Sequence, residues 1–122
     1  MRFDERLDRE LLRGVLPLCV LAVVATHGPT YGGAIRRSRA GAGLAPGQGG
    51  GLYPLLQRLE DDGLVTTSWH QGERGPSRRY YAVTDQGRVA LADATSRWEA
   101  MTTAATTLVA GVCGPPAPAR PA

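Results

Sequence analysis

The stretch from Asp61 to Gly87, DDGLVTTSWHQGERGPSRRYYAVTDQG, confines the fold more than any other part of this chain. Leu64 to His70 is rich in β-branched and aromatic residues and reads as a strand, and Arg79 to Val83 reads as its partner. Between them QGERGPSR holds the Gly and Pro of a hairpin tip. Gly63 closes the helix that precedes the hairpin. Thr84 is placed to cap the helix after the hairpin, with Asp85 at the positive end of its dipole. A hairpin set among helices makes the expected fold class α+β, mostly α.

Upstream the pattern is helical. Leu12, Val15, Leu16, Cys19, Val20, Val23 and Val24 recur at helical spacing, which predicts a buried helix over 11–26 with Pro17 near its first turn. His27-Gly28-Pro29 ends it. A short helix from Tyr31 to about Ala40 turns Ile35 inward and Arg36, Arg37 and Arg39 outward. After the connection AGAGLAPGQGGG, Leu52, Leu55, Leu56 and Leu59 form the apolar stripe of a third helix. Downstream of the hairpin, Leu91, Ala94, Trp98, Met101, Ala105 and Leu108 alternate steps of three and four, a heptad-like stripe on a helix running to about Val109. So long a helix in so small a domain is expected to pair with its copy in a second subunit. The expected division is a flexible or helical N-terminal extension over 1–10, a domain of three helices and a hairpin over 11–83, a dimerisation helix over 84–110 and a disordered Pro-rich tail over 111–122.

Charge distribution narrows the function. All 14 basic residues are arginine, for a net charge of +3. No acid lies between Glu10 and Glu60, a window that holds Arg13, Arg36, Arg37, Arg39 and Arg58, and a second basic cluster lies at Arg74, Arg78 and Arg79. Guanidinium groups without competing carboxylates suit phosphate. The apolar run Val15–Ala25 is shorter than the roughly 20 residues a bilayer span needs. The mixed-charge N-terminus lacks the basic character of a signal peptide, so a cytoplasmic protein without membrane contact is expected. Cys19 and Cys113 sit in unlike settings and are expected as free thiols. Two cysteines and two scattered histidines have no metal-ligand spacing.

Gly47-Gln48-Gly49-Gly50-Gly51 before a helix raises the possibility of a nucleotide loop. A dinucleotide fingerprint needs a third glycine where Leu52 stands and a strand before the loop, and a phosphate-binding P-loop needs a lysine that this chain does not have. No cofactor is expected. Nor can a nucleophile, a base and an orienting group be assembled from Asp85, Asp93, His27 and His70. The chain does not read as an enzyme.

The order of three helices and a hairpin, with the third helix entered from a loop, is that of a winged helix-turn-helix domain. In that fold the second helix of the pair enters the major groove and the hairpin, or wing, meets the neighbouring backbone. The segments LLRGVLPLCVLAVVATHGPTYGGAI, LYPLLQRLEDDGLV and GERGPSRRYYAVTDQGR resemble the PadR family of bacterial transcriptional regulators. LADATSRWEAM resembles the family's short form, with one dimerisation helix after the wing. The resemblance covers roughly residues 11 to 110, most of the chain.

The resemblance implies a homodimer on double-stranded DNA at an inverted-repeat operator, usually as a repressor, with a small aromatic effector bound against a tryptophan of the long helix, here Trp98. It places Tyr53 on the recognition helix and Pro76, Arg78, Tyr80 and Tyr81 on the wing. The DNA-contacting candidates are Tyr31, Arg36, Arg37, Gln48, Gly50, Gly51, Tyr53, Arg58, Arg74, Arg78 and Arg79. The ligand or dimer candidates are Leu91, Ala94, Trp98, Met101, Ala105 and Leu108. Arg58 either meets DNA or pairs with Asp61 or Asp62, while Gln48 and Gln57 are either solvated or base-reading. Tyr80 and Tyr81 face opposite sides of the strand, one of them into the core, and Trp69 is expected in the core beneath the wing. The chain departs from the resemblance at Gly49-Gly50-Gly51, where a hydroxyl cap is usual; the glycines lose that cap but bare N–H groups toward phosphate. The alternative is a small-molecule-binding or sequestering protein that kept the fold and lost specific DNA recognition.

Overall fold

The computed structural model describes residues 2–44, 51–72 and 75–113. Gln48, Gly50 and Arg74 lie outside the described residues, as do Gly49 and the C-terminal stretch 114–122. The elements are α1 (Phe3–His27), β1 (Thr30–Tyr31), α2 (Gly32–Gly41), α3 (Leu52–Asp61), β2 (Val65–His70), β3 (Arg78–Val83) and α4 (Asp85–Cys113). They fall into two compact units, residues 1–91 and 92–122, and α4 begins in the first.

In the first unit, α1 supplies Leu16, Val20, Leu21 and Val24 to a core completed by Ile35, by Leu52, Leu55, Leu56 and Leu59, and by Val65 and Tyr81. Fully burying an aliphatic side chain is worth about 1.5–3 kcal/mol, so this cluster holds the helices against the sheet. α1 is longer than the apolar pattern predicts. Asp4 and Glu5 lie in its first turn, where the helix dipole favours acids, and Phe3, Leu7 and Leu11 continue the helical spacing although all three are exposed. Pro17 therefore sits inside the helix and not near its start. It removes the bond to the carbonyl four residues back, a cost the packed residues on either side of it offset. By length and apolarity α1 could also cross a membrane, with a mean hydropathy of 1.6 in its most apolar window. Within it Leu16, Val20, Leu21 and Val24 are buried in the core of the first unit.

Both helices of the central pair end in the same way. Gly43 (φ 97°) and Gly63 (φ 76°) are left-handed residues just past α2 and α3. Leu44 N–H donates to the Arg39 carbonyl and Leu64 N–H to that of Leu59, while Gly43 and Gly63 donate to Ala40 and Glu60. These paired bonds form the Schellman motif, which glycine makes possible.

The sheet is antiparallel, in the order β1-β3-β2. Tyr31 was expected to open the second helix; with Thr30 it forms β1 instead, the two pairing with Tyr80 and Tyr81 respectively. A two-residue strand has no periodicity to read, and only the neighbouring β3 edge defines it. Val65, Thr67 and Trp69 of β2 face the same side as Val83, Tyr81 and Arg79 of β3. This is the core side, but the hairpin outruns the helices beneath it. Trp69 near its end is 68% exposed, which corrects its expected burial.

Thr84 joins the hairpin to α4. Its hydroxyl accepts the Gly87 N–H at 2.9 Å and donates to the Gly63 carbonyl at 2.7 Å, while its own N–H meets the Leu64 carbonyl. Gly87 leaves no room for a side chain: a Cβ there would collide with the Leu64 carbonyl oxygen and come within 2.8 Å of Val83 Cγ2.

Candidate nucleic-acid interface

α3 opens at Gly51, extended at φ −78° and ψ 145°, with no side chain among the described residues capping its first N–H groups. Pro54 lies in its first turn, where a missing N–H costs nothing. Tyr53 is half exposed on this turn, and its ring lies against Gly32 at the start of α2. A Cβ on Gly32 would come 2.5 Å from the Tyr53 hydroxyl. Arg36, one turn along α2, stacks on the same ring at 5.2 Å from its centroid. A contact across the turn between the two helices thus sets the direction of Tyr53, and glycine at position 32 is what admits it.

A second cluster lies on the outer face of the sheet. Tyr31 and Tyr80 are cross-strand neighbours with ring centroids 5.5 Å apart, edge to face. His70 meets Tyr80 edge-on at 4.7 Å. Two arginines converge on Tyr31. Arg37 of α2 donates to its hydroxyl at 2.8 Å, and Arg78 of the wing stacks at 4.5 Å from its ring centroid. The Arg37 hydrogen bond and charge hold the exposed Tyr31 phenol below its ordinary pKa, and the Arg78 charge adds to this. Among the described residues, the ion pairs are Arg2–Asp4, Arg79–Glu60 and Arg97–Asp93. None of them engages Arg36, Arg37 or Arg78. Three cations held by aromatic faces, with no carboxylate paired to them among the described residues, keep their charge directed at solvent.

The remaining candidates separate. Arg79 points to the inner face, where it donates to Glu60 of α3 at 2.6 Å, so the structure gives it an acid partner inside the chain and not a place on the outer cluster. Its distance from Arg78 in sequence is one residue, and strand alternation sends the two to opposite sides. Arg39, expected outward, is 3% exposed because it follows Ile35 by one helical turn and shares its buried face. Arg58 is exposed and lines a 430 Å³ cleft with Arg13, Leu16, Pro17, Gly51, Pro54 and Leu55, and no ion pair joins it to Asp61 or Asp62 among the described residues. Gln57 bonds to Asp61 at 2.9 Å.

On α4, Leu91 packs against the core of the first unit, which moves it out of the expected interface stripe. Within the second unit, Trp98 is 47%, Met101 74% and Leu108 76% exposed, and Val109 and Val112 are exposed with them. Ala94 is half-buried and Ala105 exposed. Sequence reasoning missed Gly32, His70, Glu60 and Thr67. The alternation of Arg79 with Tyr81 was the available sign for the last two, since it puts Arg79 over the C-terminal end of α3.

Comparison with known proteins agrees with this geometry. The profile of the transcriptional regulator PadR-like family matches residues 20–93. The fold is similar to that of a PadR family transcriptional regulator from Eggerthella lenta DSM 2243, at 35% identity and a TM-score of 0.72, over 82% of this chain and 86% of that one. It is also similar to a PadR-like transcriptional regulator from Bacillus cereus ATCC 14579, at 28% identity and a TM-score of 0.70, over 82% and 96% of the two chains. A PadR-like transcription factor from Bacteroides fragilis is 27% identical with a TM-score of 0.66, over 84% and 98%. Comparison with curated protein sequences finds no match. With a winged helix-turn-helix core, a long C-terminal helix and a family profile that spans more than half its length, the chain belongs to the PadR-like family of transcriptional regulators.

Proposed function

We propose that the protein is a cytoplasmic, homodimeric transcriptional repressor that binds an inverted-repeat operator and leaves it when a small aromatic effector binds. The observation that carries the DNA-binding part is the convergence of Arg36, Arg37 and Arg78 on Tyr53 and Tyr31 with no carboxylate among their described contacts. α3 is the reading helix, with Tyr53 near its N-terminus aimed by Gly32 and Arg36. Tyr31, Arg37 and Arg78 meet phosphate on the wing side, and the open N–H groups after Gly51 suit a further phosphate oxygen. Gln48, Gly50 and Arg74 are counted as DNA-contacting residues in the proposal from the sequence alone.

Dimerisation is supported by the exposed apolar residues of α4. Trp98, Met101, Ala105 and Leu108 recur at three- and four-residue steps, and large apolar groups left in water at that spacing suit a partner helix. Trp98 also offers the flat face an aromatic effector would stack on.

The test is selection of duplexes from random-sequence DNA, with sequencing and then a titration of the enriched duplex over a range of salt. The expected result is a palindromic motif and an affinity falling steeply with salt, by about 0.9 in log–log slope per neutralised phosphate. A slope near zero would remove the DNA-binding reading and favour the sequestering alternative.

A further inference from the structure

Resting on the DNA-binding reading above, we infer that Arg79 is a positioning residue: with Glu60 and Thr67 it forms a strut that sets the wing against the reading helix.

The strut is a closed ring of hydrogen bonds. Arg79 Nη2 donates to Glu60 Oε1 at 2.6 Å and to Thr67 Oγ1 at 3.3 Å, and Thr67 Oγ1 donates to Glu60 Oε2 at 2.8 Å. One carboxylate on the last turn of α3 therefore holds a side chain from each wing strand. Gln57 and Tyr81 complete the surroundings: Gln57 Nε2 reaches Glu60 Oε1 at 3.5 Å, and the Arg79 guanidinium lies 5.7 Å from the Tyr81 ring centroid. The group is only part-exposed, at 34% for the arginine and 27% for the glutamate, so solvent competes weakly for it.

The placement explains what the ring is for. β3 carries Arg78 outward and Arg79 inward at successive positions, so a fixed Arg79 fixes where Arg78 presents its charge. The core already holds the sheet at Val65 and Tyr81, toward the helices. The strut is the next fixture along the hairpin, level with the Trp69–Arg79 pair where the apolar contacts run out and Trp69 is exposed. A partly buried ion pair is a poor source of net stability, because desolvation offsets its attraction, but it is directional. Its value here is geometric: it sets the spacing between the groove-reading side chains of α3 and the phosphate-binding end of the wing.

The test turns on sign. If Arg79 touched phosphate, Arg79→Gln would weaken binding to every duplex and lower the salt slope by about 0.9, while Glu60→Gln, which removes a negative charge, would tighten binding. The strut requires that both substitutions act in the same direction. Each should weaken binding to the duplex enriched by selection, about tenfold, and leave the salt slope and the affinity for a scrambled duplex of equal length unchanged. The double variant should lose no more than either single one. Thr67→Val, which keeps the shape and deletes one hydroxyl, is the milder variant and should lose specific affinity by about threefold with the same unchanged slope. Thermal unfolding of each variant verifies folding, and Arg79→Lys should restore part of the specific affinity. Tighter binding by Glu60→Gln, a reduced slope in Arg79→Gln or additive losses in the double variant would each overturn the strut while leaving DNA binding intact. Failure of the unaltered chain to enrich any duplex would overturn the DNA-binding reading, and the strut with it.

Discussion

The two faces of β3 carry the same residue types to opposite ends. Arg78 and Tyr80 face outward, where Arg78 stacks on Tyr31 and Tyr80 packs edge-on between Tyr31 and His70. Arg79 and Tyr81 face inward, where Arg79 pairs with Glu60 and Tyr81 is 4% exposed in the core. Composition cannot separate them, since the segment reads Arg-Arg-Tyr-Tyr. The two-residue period of the strand does, and it divides a basic aromatic stretch into a part that builds the domain and a part left at the surface.

The largest test of this division compares the two tyrosines. Tyr81→Ala removes a buried ring and should destabilise the fold by about 3 kcal/mol, read as a lower urea midpoint. Tyr80→Ala removes a half-buried cross-strand pair and should cost about 1 kcal/mol. Equal losses would mean that the two faces bear equally on folding. Burial drives the Tyr81 phenol pKa up, and the Arg79 charge opposes it, as expected for a ring in the core beside a cation.

Next in size is the junction that holds the inner face over the helices. Gly87→Ala places a methyl against the Leu64 carbonyl and Val83. The carbonyl belongs to the backbone and cannot turn aside, so α4 or the start of β2 must shift. Roughly 2 kcal/mol of destabilisation is expected in the same urea titration. A neutral result would show that the Thr84 hub tolerates movement.

The boundary between faces also marks what the sequence made legible. The hairpin, the glycine end of α3 and the Thr84 cap could be read because each depends on a few adjacent residues with one favourable conformation. The alternation of Tyr80 and Tyr81 was legible for the same reason. What failed depended on distant partners. β1 exists only because β3 passes beside it. Arg39 is buried because α2 is packed along the Ile35 row, and three nearby arginines suggested a single outward face that a helix does not provide. Trp69 had the right side of the sheet but lay beyond the reach of the core. Leu91 continued the spacing of the apolar stripe, yet its turn of α4 packs on the first unit. Among the DNA-contacting candidates, Arg78 and Arg79 looked equivalent until Glu60, distant in sequence, took one of them.

Outward residues should matter to binding and little to folding. Arg78→Ala and Arg37→Ala should each leave stability within about 0.5 kcal/mol of the parent chain. Each should lower the slope of log affinity against log salt by about 0.9 and weaken binding to specific and scrambled duplexes alike. An Arg78→Ala variant that lost only specific binding, with its slope intact, would place Arg78 with the inner group and abolish the contrast with Arg79.

The smallest effect is the most direct report on the outer cluster. Arg37 bonds the Tyr31 hydroxyl and favours the phenolate, so the folded pKa of Tyr31 lies below its unfolded value. Linkage gives the sign: the contribution to stability is present above the unfolded pKa and is lost as pH falls through the folded one. The Tyr31 hydroxyl lies at the surface, so the energy is small, but the titration midpoint is measurable. The chain has four tyrosines, so the Tyr31 signal is taken as the absorbance difference between the parent chain and Tyr31→Phe. Arg37→Ala should raise the midpoint substantially and Arg78→Ala less, because the hydrogen bond and charge of Arg37 are the main causes of the lowering. Bound duplex should raise it too, since phosphates that occupy the two guanidinium groups withdraw their support from the phenolate. A midpoint indifferent to DNA would show that the phosphates lie elsewhere, and the outer face would then be a second structural face.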